Sequence, residues 1–135
     1  MAKGFVGNIE EITEGNTNFR KVLYTAKHSQ LVVMSIAAGG EIGEEVHKDN
    51  DQFFRVEEGE GKLMIDGNEQ VFSSGFAIVV PAGARHNVIN TSPDKPLKLY
   101  TLYAPPHHKD GIVHTTKEEA EKSSEEFDNV TTEQI

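Results

Sequence analysis

From residue 18 to 104 the apolar residues fall in short alternating runs, and no helical spacing interrupts them. The runs "FRKVLYTAK", "QLVVMSIAA", "IGEEVH", "QFFRVEEG", "GKLMID", "EQVFSS", "AIVVP", "RHNVIN" and "LKLYTLYA" are rich in Val, Ile, Phe, Tyr and Leu, with glycine, proline and Asx residues between them. Period-two alternation bounded by such punctuation predicts β-strands, and this many short strands in so little chain predict an all-β sandwich or barrel. Asp66-Gly67, between "KLMI" and "NEQVF", supplies the positive φ angles of a tight hairpin turn. In "QFFRVEE" the alternation puts Gln52, Phe54 and Val56 on one face and Phe53, Arg55 and Glu57 on the other.

The pattern breaks after Tyr103. "APPHHKDGIVH" carries two prolines and a glycine and reads as an arm rather than a strand. "TTKEEAEKSSEEF" predicts a helix, with Thr115 or Thr116 as N-cap and Glu118 or Glu119 three residues on. Its apolar face is only Ala120 and Phe127, so weak packing is expected, and the final "NVTTEQI" is expected to be disordered. The organisation predicted is an N-terminal segment (1–17), a β-barrel (18–104) and a C-terminal arm with a short acidic helix (105–135).

The length of 135 residues fits one domain. No long apolar run and no secretory leader are visible, so a cytoplasmic protein with no membrane partner is expected. Cysteine is absent, which removes disulfides, thiolate ligands and cysteine nucleophiles and leaves any metal to nitrogen and oxygen donors. The formal charge is -9, and the 13 Lys and Arg are scattered, which argues against a nucleic-acid surface. A small molecule or another protein is the expected partner.

Chemistry gathers in "EEVHKDNDQFFRVEEGEG". Glu45 and His47 project from one face of a strand, which is how a sheet presents a chelate. The turn-like "KDND" lets the chain reverse, and Gln52 then heads an otherwise apolar row. Further on, His86 opens a strand in phase with Val88 and Asn90.

These residues carry a resemblance to the cupins, small double-stranded β-helix or jelly-roll barrels. Gly75, Pro81, Gly83, His86 and Asn90 meet every fixed position of the second cupin motif. The first motif is met in spacing but altered in chemistry: Glu45 stands at the first histidine, His47 at the second, Gln52 at the glutamate and Gly59 at the closing glycine, with Gly39 or Gly40 near the leading one. The resemblance spans roughly residues 29 to 104 and leaves the arm unexplained. It implies a divalent metal ion held inside the barrel by Glu45, His47, Gln52 and His86, one anion among three neutral donors. Such a set suits Fe(II), Mn(II), Ni(II) or Zn(II).

The resemblance further implies a metal-dependent enzyme of dioxygenase, isomerase or lyase type, with a non-catalytic cupin that binds a sugar-like metabolite as the alternative. Glu45 is the candidate proton acceptor, and Tyr100 or Tyr103, whichever faces inward, the candidate hydroxyl. Gly59, Gly61, Pro81 and Gly83 are expected at barrel turns. Arg85 should face away from His86 and pair with an acid, and His28 and His114 should be surface residues. His107 and His108 are expected in solvent; the alternative is an arm folded over the barrel mouth that brings His107, His108 or Lys109 to a substrate. Outward apolar residues such as Phe53 fit a homodimer, which the resemblance also favours.

Overall fold

Two antiparallel sheets face each other in this computed structural model, which describes residues 1–134. In chain order the elements are α1 (Ile9–Gly15), β1 (Arg20–Thr25), β2 (Gln30–Ile36), β3 (Glu45–Val46), β4 (Asp51–Glu58), β5 (Glu60–Ile65), β6 (Asn68–Ser73), β7 (Ala77–Val80), β8 (Arg85–Asn90), β9 (Leu97–Ala104), β10 (Val113–His114) and α2 (Lys117–Lys122). The larger sheet runs β10-β1-β2-β9-β4-β7 and the smaller β3-β8-β5-β6. This is the jelly-roll, double-stranded β-helix architecture that the resemblance implied, and an all-β fold as the alternation implied.

Alternation decides which residues meet between the sheets. On β4, Gln52, Phe54 and Val56 are buried while their neighbours are half-exposed, and on β8 the buried row is His86, Val88 and Asn90. With Met34, Ile36, Val80, Leu97 and Leu99 they fill the space between sheets, so a polar cluster ends an otherwise apolar core. The hairpin between β5 and β6 turns at Asp66 and Gly67, both with positive φ (43° and 82°). Asn90 is a loop clasp: its amide donates to the carbonyls of Ile36, Ala37 and Lys95, and its oxygen accepts from Ser92 N–H.

Gly61 is not the turn residue expected of it. It lies within β5, paired with Phe72 and Asn90, and a Cβ there would stand 2.3 Å from the Ile89 carbonyl oxygen and 2.6 Å from the Phe72 ring. Backbone cannot yield as a flexible side chain can, so Gly61→Ala should cost about 3 kcal/mol. A thermal melt should show a midpoint roughly 10 °C lower; an unchanged midpoint would mean that β6 and β8 do not crowd Gly61 so closely within their sheet.

One helix is added at the N-terminus, and three expectations about the C-terminus change. Residues 1–17 include α1, capped by Asn8 Oδ1 accepting from Glu11 N–H, and α1 packs against β2, β4 and β9. At its other end the buried Lys98 ammonium donates to the Asn16 carbonyl, a cation at a helix C-terminus. The C-terminal helix is shorter than predicted, ending at Lys122, with Thr116 as N-cap and Glu119 reaching back to Thr115 N–H rather than to the cap itself. The arm also contributes β10 to the larger sheet, beyond the boundary set at residue 104. The last residues are tied down: Thr132 and Thr25 exchange backbone-directed hydrogen bonds, and the Glu133 carboxylate accepts from Tyr24 O–H and from Lys3 and Gly4 N–H. Ile135 lies outside the described residues. No helix among the described residues is long and apolar enough to cross a membrane.

Candidate functional site

Four strands and the arm converge on one buried polar cluster. Glu45 on β3 is the register partner of His86 on β8, so the smaller sheet sets these two side by side. His47 follows β3 directly, and its backbone oxygen accepts from Gly83 N–H, which locks the strand end to the β7–β8 turn. Gln52 on β4 lies opposite Tyr103 on β9 and donates to Thr101 Oγ1 at 3.0 Å. His47, Gln52, His86 and Tyr103 are all buried.

The donor atoms have a distinctive state of pairing. His86 Nδ1 lies 3.0 Å from the Ala84 carbonyl, so that nitrogen carries the proton and Nε2 keeps its lone pair. Gln52 Oε1 is buried without a hydrogen-bond partner. Glu45 Oε2 approaches His47 Nε2 to 2.6 Å, but off the line of a ring N–H, so Nε2 too lacks an aligned partner. Burial pushes the Glu45 carboxyl up, yet contact with His47 and the charges of His47, Arg20 and His86 outweigh it and hold the group below its ordinary value. The His47 and His86 ring centroids are 5.3 Å apart. With metal–nitrogen bonds of about 2 Å, two imidazoles on one ion have centroids roughly 4.5–5.5 Å apart, so the pair fits. Among the described residues no three His, Asp or Glu side chains stand ready as a cage. Gln52 and Glu45 are the groups beside the pair that could complete one.

Two expectations about tyrosine and the arm are resolved here. Tyr103 faces inward and burial pushes its phenol well above the ordinary value, whereas Tyr100 lies on the outer face against Phe53 and leaves the site. His107 and His108 are not in solvent. His107 lies edge-on to His47 with centroids 4.4 Å apart and stacks with Tyr103, and His108 Nε2 is 3.2 Å from the Tyr103 hydroxyl. The anchor is Gln30 on β2, fully buried: Nε2 donates to Thr25 Oγ1 and to the His108 carbonyl, and Oε1 accepts from His107 and His108 N–H. Asn50 adds a donor to the Pro105 carbonyl at 2.6 Å. Lys109 stays exposed, 3.9 Å from Glu125, and Arg85 pairs with Glu44 at 2.6 Å on the outside as expected. His28 is exposed, but His114 is half-buried on β10, directly opposite Arg20 of β1. Arg20 itself was not anticipated. It is 7% exposed, and the signal that could have revealed it is its phase with the buried Val22.

Burial, with the charge of Arg20 and the neighbouring imidazoles, lowers the His108 imidazole from 6.5 to about 2. The folded chain therefore keeps His108 neutral while the unfolded chain protonates it below its ordinary value. Its contribution is whole above that value and is lost as pH falls through it, by up to about 2 kcal/mol at pH 5. Glu45, with its lowered carboxyl, weakens the fold in the same direction at still lower pH. Urea titrations at pH 7 and pH 5 should show this loss, and His108→Phe should flatten it; a slope unaltered by His108→Phe would assign the acid sensitivity elsewhere.

Residues 32–103 match the family model described as Cupin domain. The uncharacterized protein YrkC of Bacillus subtilis (strain 168) is 47% identical over 125 residues, covering 87% of this chain and 66% of that protein, so the chain spans just under two thirds of that relative. An uncharacterized protein of Acanthamoeba polyphaga mimivirus is 40% identical over 112 residues, covering 81% of this chain and 70% of its own length. The crystal structure of BH2720 from Bacillus halodurans superposes with a TM-score of 0.87 at 44% identity, covering 90% of this chain and 96% of that one.

Proposed function

This chain belongs to the cupin domain family, and from that premise we propose that its barrel holds one divalent metal ion between His47 and His86, with Gln52 and Glu45 completing the donors, and acts on a small oxygenated molecule. One observation carries the reading: two buried donor atoms, His47 Nε2 and Gln52 Oε1, have no aligned partner beside an imidazole whose Nδ1 is already tied to backbone. An unpaired buried polar atom costs about 1–3 kcal/mol, which a ligated ion would offset. When bound, such an ion polarises a carbonyl oxygen.

The chain's own residues supply the rest. Glu45, whose carboxyl is held ionised, can take a proton from a molecule beside His47. Tyr103 keeps its proton and can donate a hydrogen bond, with its oxygen held beside His108 Nε2. His107 closes over His47 and excludes water. These roles favour a dioxygenase, isomerase or lyase type of reaction; a cupin that binds a sugar-like metabolite without turnover is the second reading, supported by how completely the arm covers the cluster.

Titration of EDTA-treated protein with Mn(II), Ni(II) and Zn(II) tests the metal reading. Saturable binding of one ion per chain, with a melting midpoint that climbs with metal concentration, is expected; no stoichiometric binding of any of the three would end it. Turnover of small diketones or keto acids by the loaded protein separates enzyme from binder. We also propose a homodimer formed through the adjoining edges β6 and β7, where Val71, Phe76 and Val79 are exposed, rather than through Phe53, which is half-buried beside Tyr100. Light scattering should return twice the chain mass, and a monomer would contradict it.

A further inference from the structure

Beside the barrel cluster, and sharing His107 and His108 with it, lies a pocket of about 160 Å³ with Arg20 in its wall. Arg20 is 7% exposed and its Nε is buried without a partner. Among the described residues no carboxylate lies within ion-pair distance of it. A buried guanidinium with unused donors is costly and persists only where something answers its charge. A second residue of the same wall carries an unpaired buried atom: Nδ1 of His114, a residue paired with Arg20 across β1 and β10. The hydroxyl-bearing Ser123 and Ser124, just after α2, add two more possible donors. Four donor-bearing side chains from β1, β10 and the segment after α2 thus border one small space.

We propose that this pocket binds a small carboxylic acid, its carboxylate held by Arg20 and bonded by His114 and the serine hydroxyls. Shape and size decide the class. A guanidinium offers a planar fork that matches a carboxylate with two parallel bonds. At about 30 Å³ per water the pocket has room for roughly five heavy atoms, which suits a monocarboxylic acid of about two or three carbons and excludes a nucleotide or a sugar phosphate. Glu125 and Glu126 also border the pocket, and Glu125 faces Lys109 at 3.9 Å. Their charge disfavours a dianionic phosphate more than a single carboxylate bound against Arg20. None of its four donors is among the residues proposed for the barrel metal, although the charge of Arg20 also reaches Glu45 and Tyr103.

Calorimetric titration of the full chain with propionate, pyruvate and acetate, each against its neutral amide, reads this directly. Saturable binding of at least one acid at one site per chain is expected, with the amide at least tenfold weaker. Arg20→Gln should weaken the acid roughly ten- to hundredfold, the loss of a charge-assisted bidentate contact. The amide comparison uses unaltered protein and stands even if the variant folds poorly. The same titration in EDTA should be unchanged, which separates this site from the barrel. Equal binding of acid and amide, undiminished affinity in a folded Arg20→Gln chain, loss of binding in EDTA, tighter binding of inorganic phosphate, or no saturable binding by any of the three acids would each overturn the proposal.

Discussion

A chain carrying His47→Ala and His86→Ala together should purify with no more divalent metal than wild-type protein stripped with EDTA. The two imidazoles are the neutral nitrogen donors at the centre of the cluster, and their rings stand 5.3 Å apart. Loss of a group that merely orients a ligand typically weakens metal affinity 10–100-fold, so removing two ligands outright should cost roughly 10⁴-fold or more. Gln52 and Glu45 would remain, but a neutral amide and a single carboxylate are a poor pair without the imidazoles. The comparison of metal content per chain by elemental analysis carries its own control: Arg85→Ala, on the outer face and paired with Glu44, should retain the wild-type load. Equal metal in wild type and the double-histidine variant would place the ion elsewhere.

Gln30→Leu should be the most damaging single change to the arm. Leu fills similar volume, but it removes the acceptor of His107 and His108 N–H and the donor to the His108 carbonyl, all three within a buried junction. At about 1–3 kcal/mol for each group left unpaired, the cost is about 4 kcal/mol. Urea unfolding should show that loss. Limited proteolysis should cut near residues 105–112 in the variant more readily than in wild type, because the side-chain hydrogen bonds left there are Asn50 to the carbonyls of Pro105 and Pro106, His108 with the Tyr103 hydroxyl and Thr132 to Asp110. Release of the arm would also lift His107 from His47 and open the barrel. A cost below about 1 kcal/mol would show that the arm docks by other means.

The barrel was legible because its signal is periodic. Every strand from β1 to β9 lies within one of the alternating runs, to within a residue at its start, and Gln52 and His86 could be placed inward from phase alone. The arm has no period. It docks through single side chains that bond backbone, Gln30 and Asn50 above all, and such bonds depend on distances set by the whole fold. Histidines in a segment rich in proline and glycine therefore read as solvent-exposed, although His108 is 8% exposed. Arg20 was hidden for another reason: a cation at the head of a strand is normally a solvated end, and only the in-phase Val22 argued otherwise. Gly61 was read as a turn because crowding by neighbouring strands leaves no mark in sequence distinct from a bend. α1 escaped because, of its seven residues, only Thr13 is buried, which leaves no apolar stripe to detect.

The metal ion proposed for the barrel would sit between β3–β4 and β8, on His47 and His86. Anomalous diffraction from crystals grown with Ni(II) or Zn(II), collected at the metal's absorption edge, tests it most directly. The account predicts one strong peak about 2.0–2.2 Å from His47 Nε2 and from His86 Nε2, with Gln52 Oε1 or Glu45 as the next nearest donor. A protein crystallised with either metal that shows no peak there, or whose strongest peak lies on His28, His114 or the surface acids instead, would contradict it.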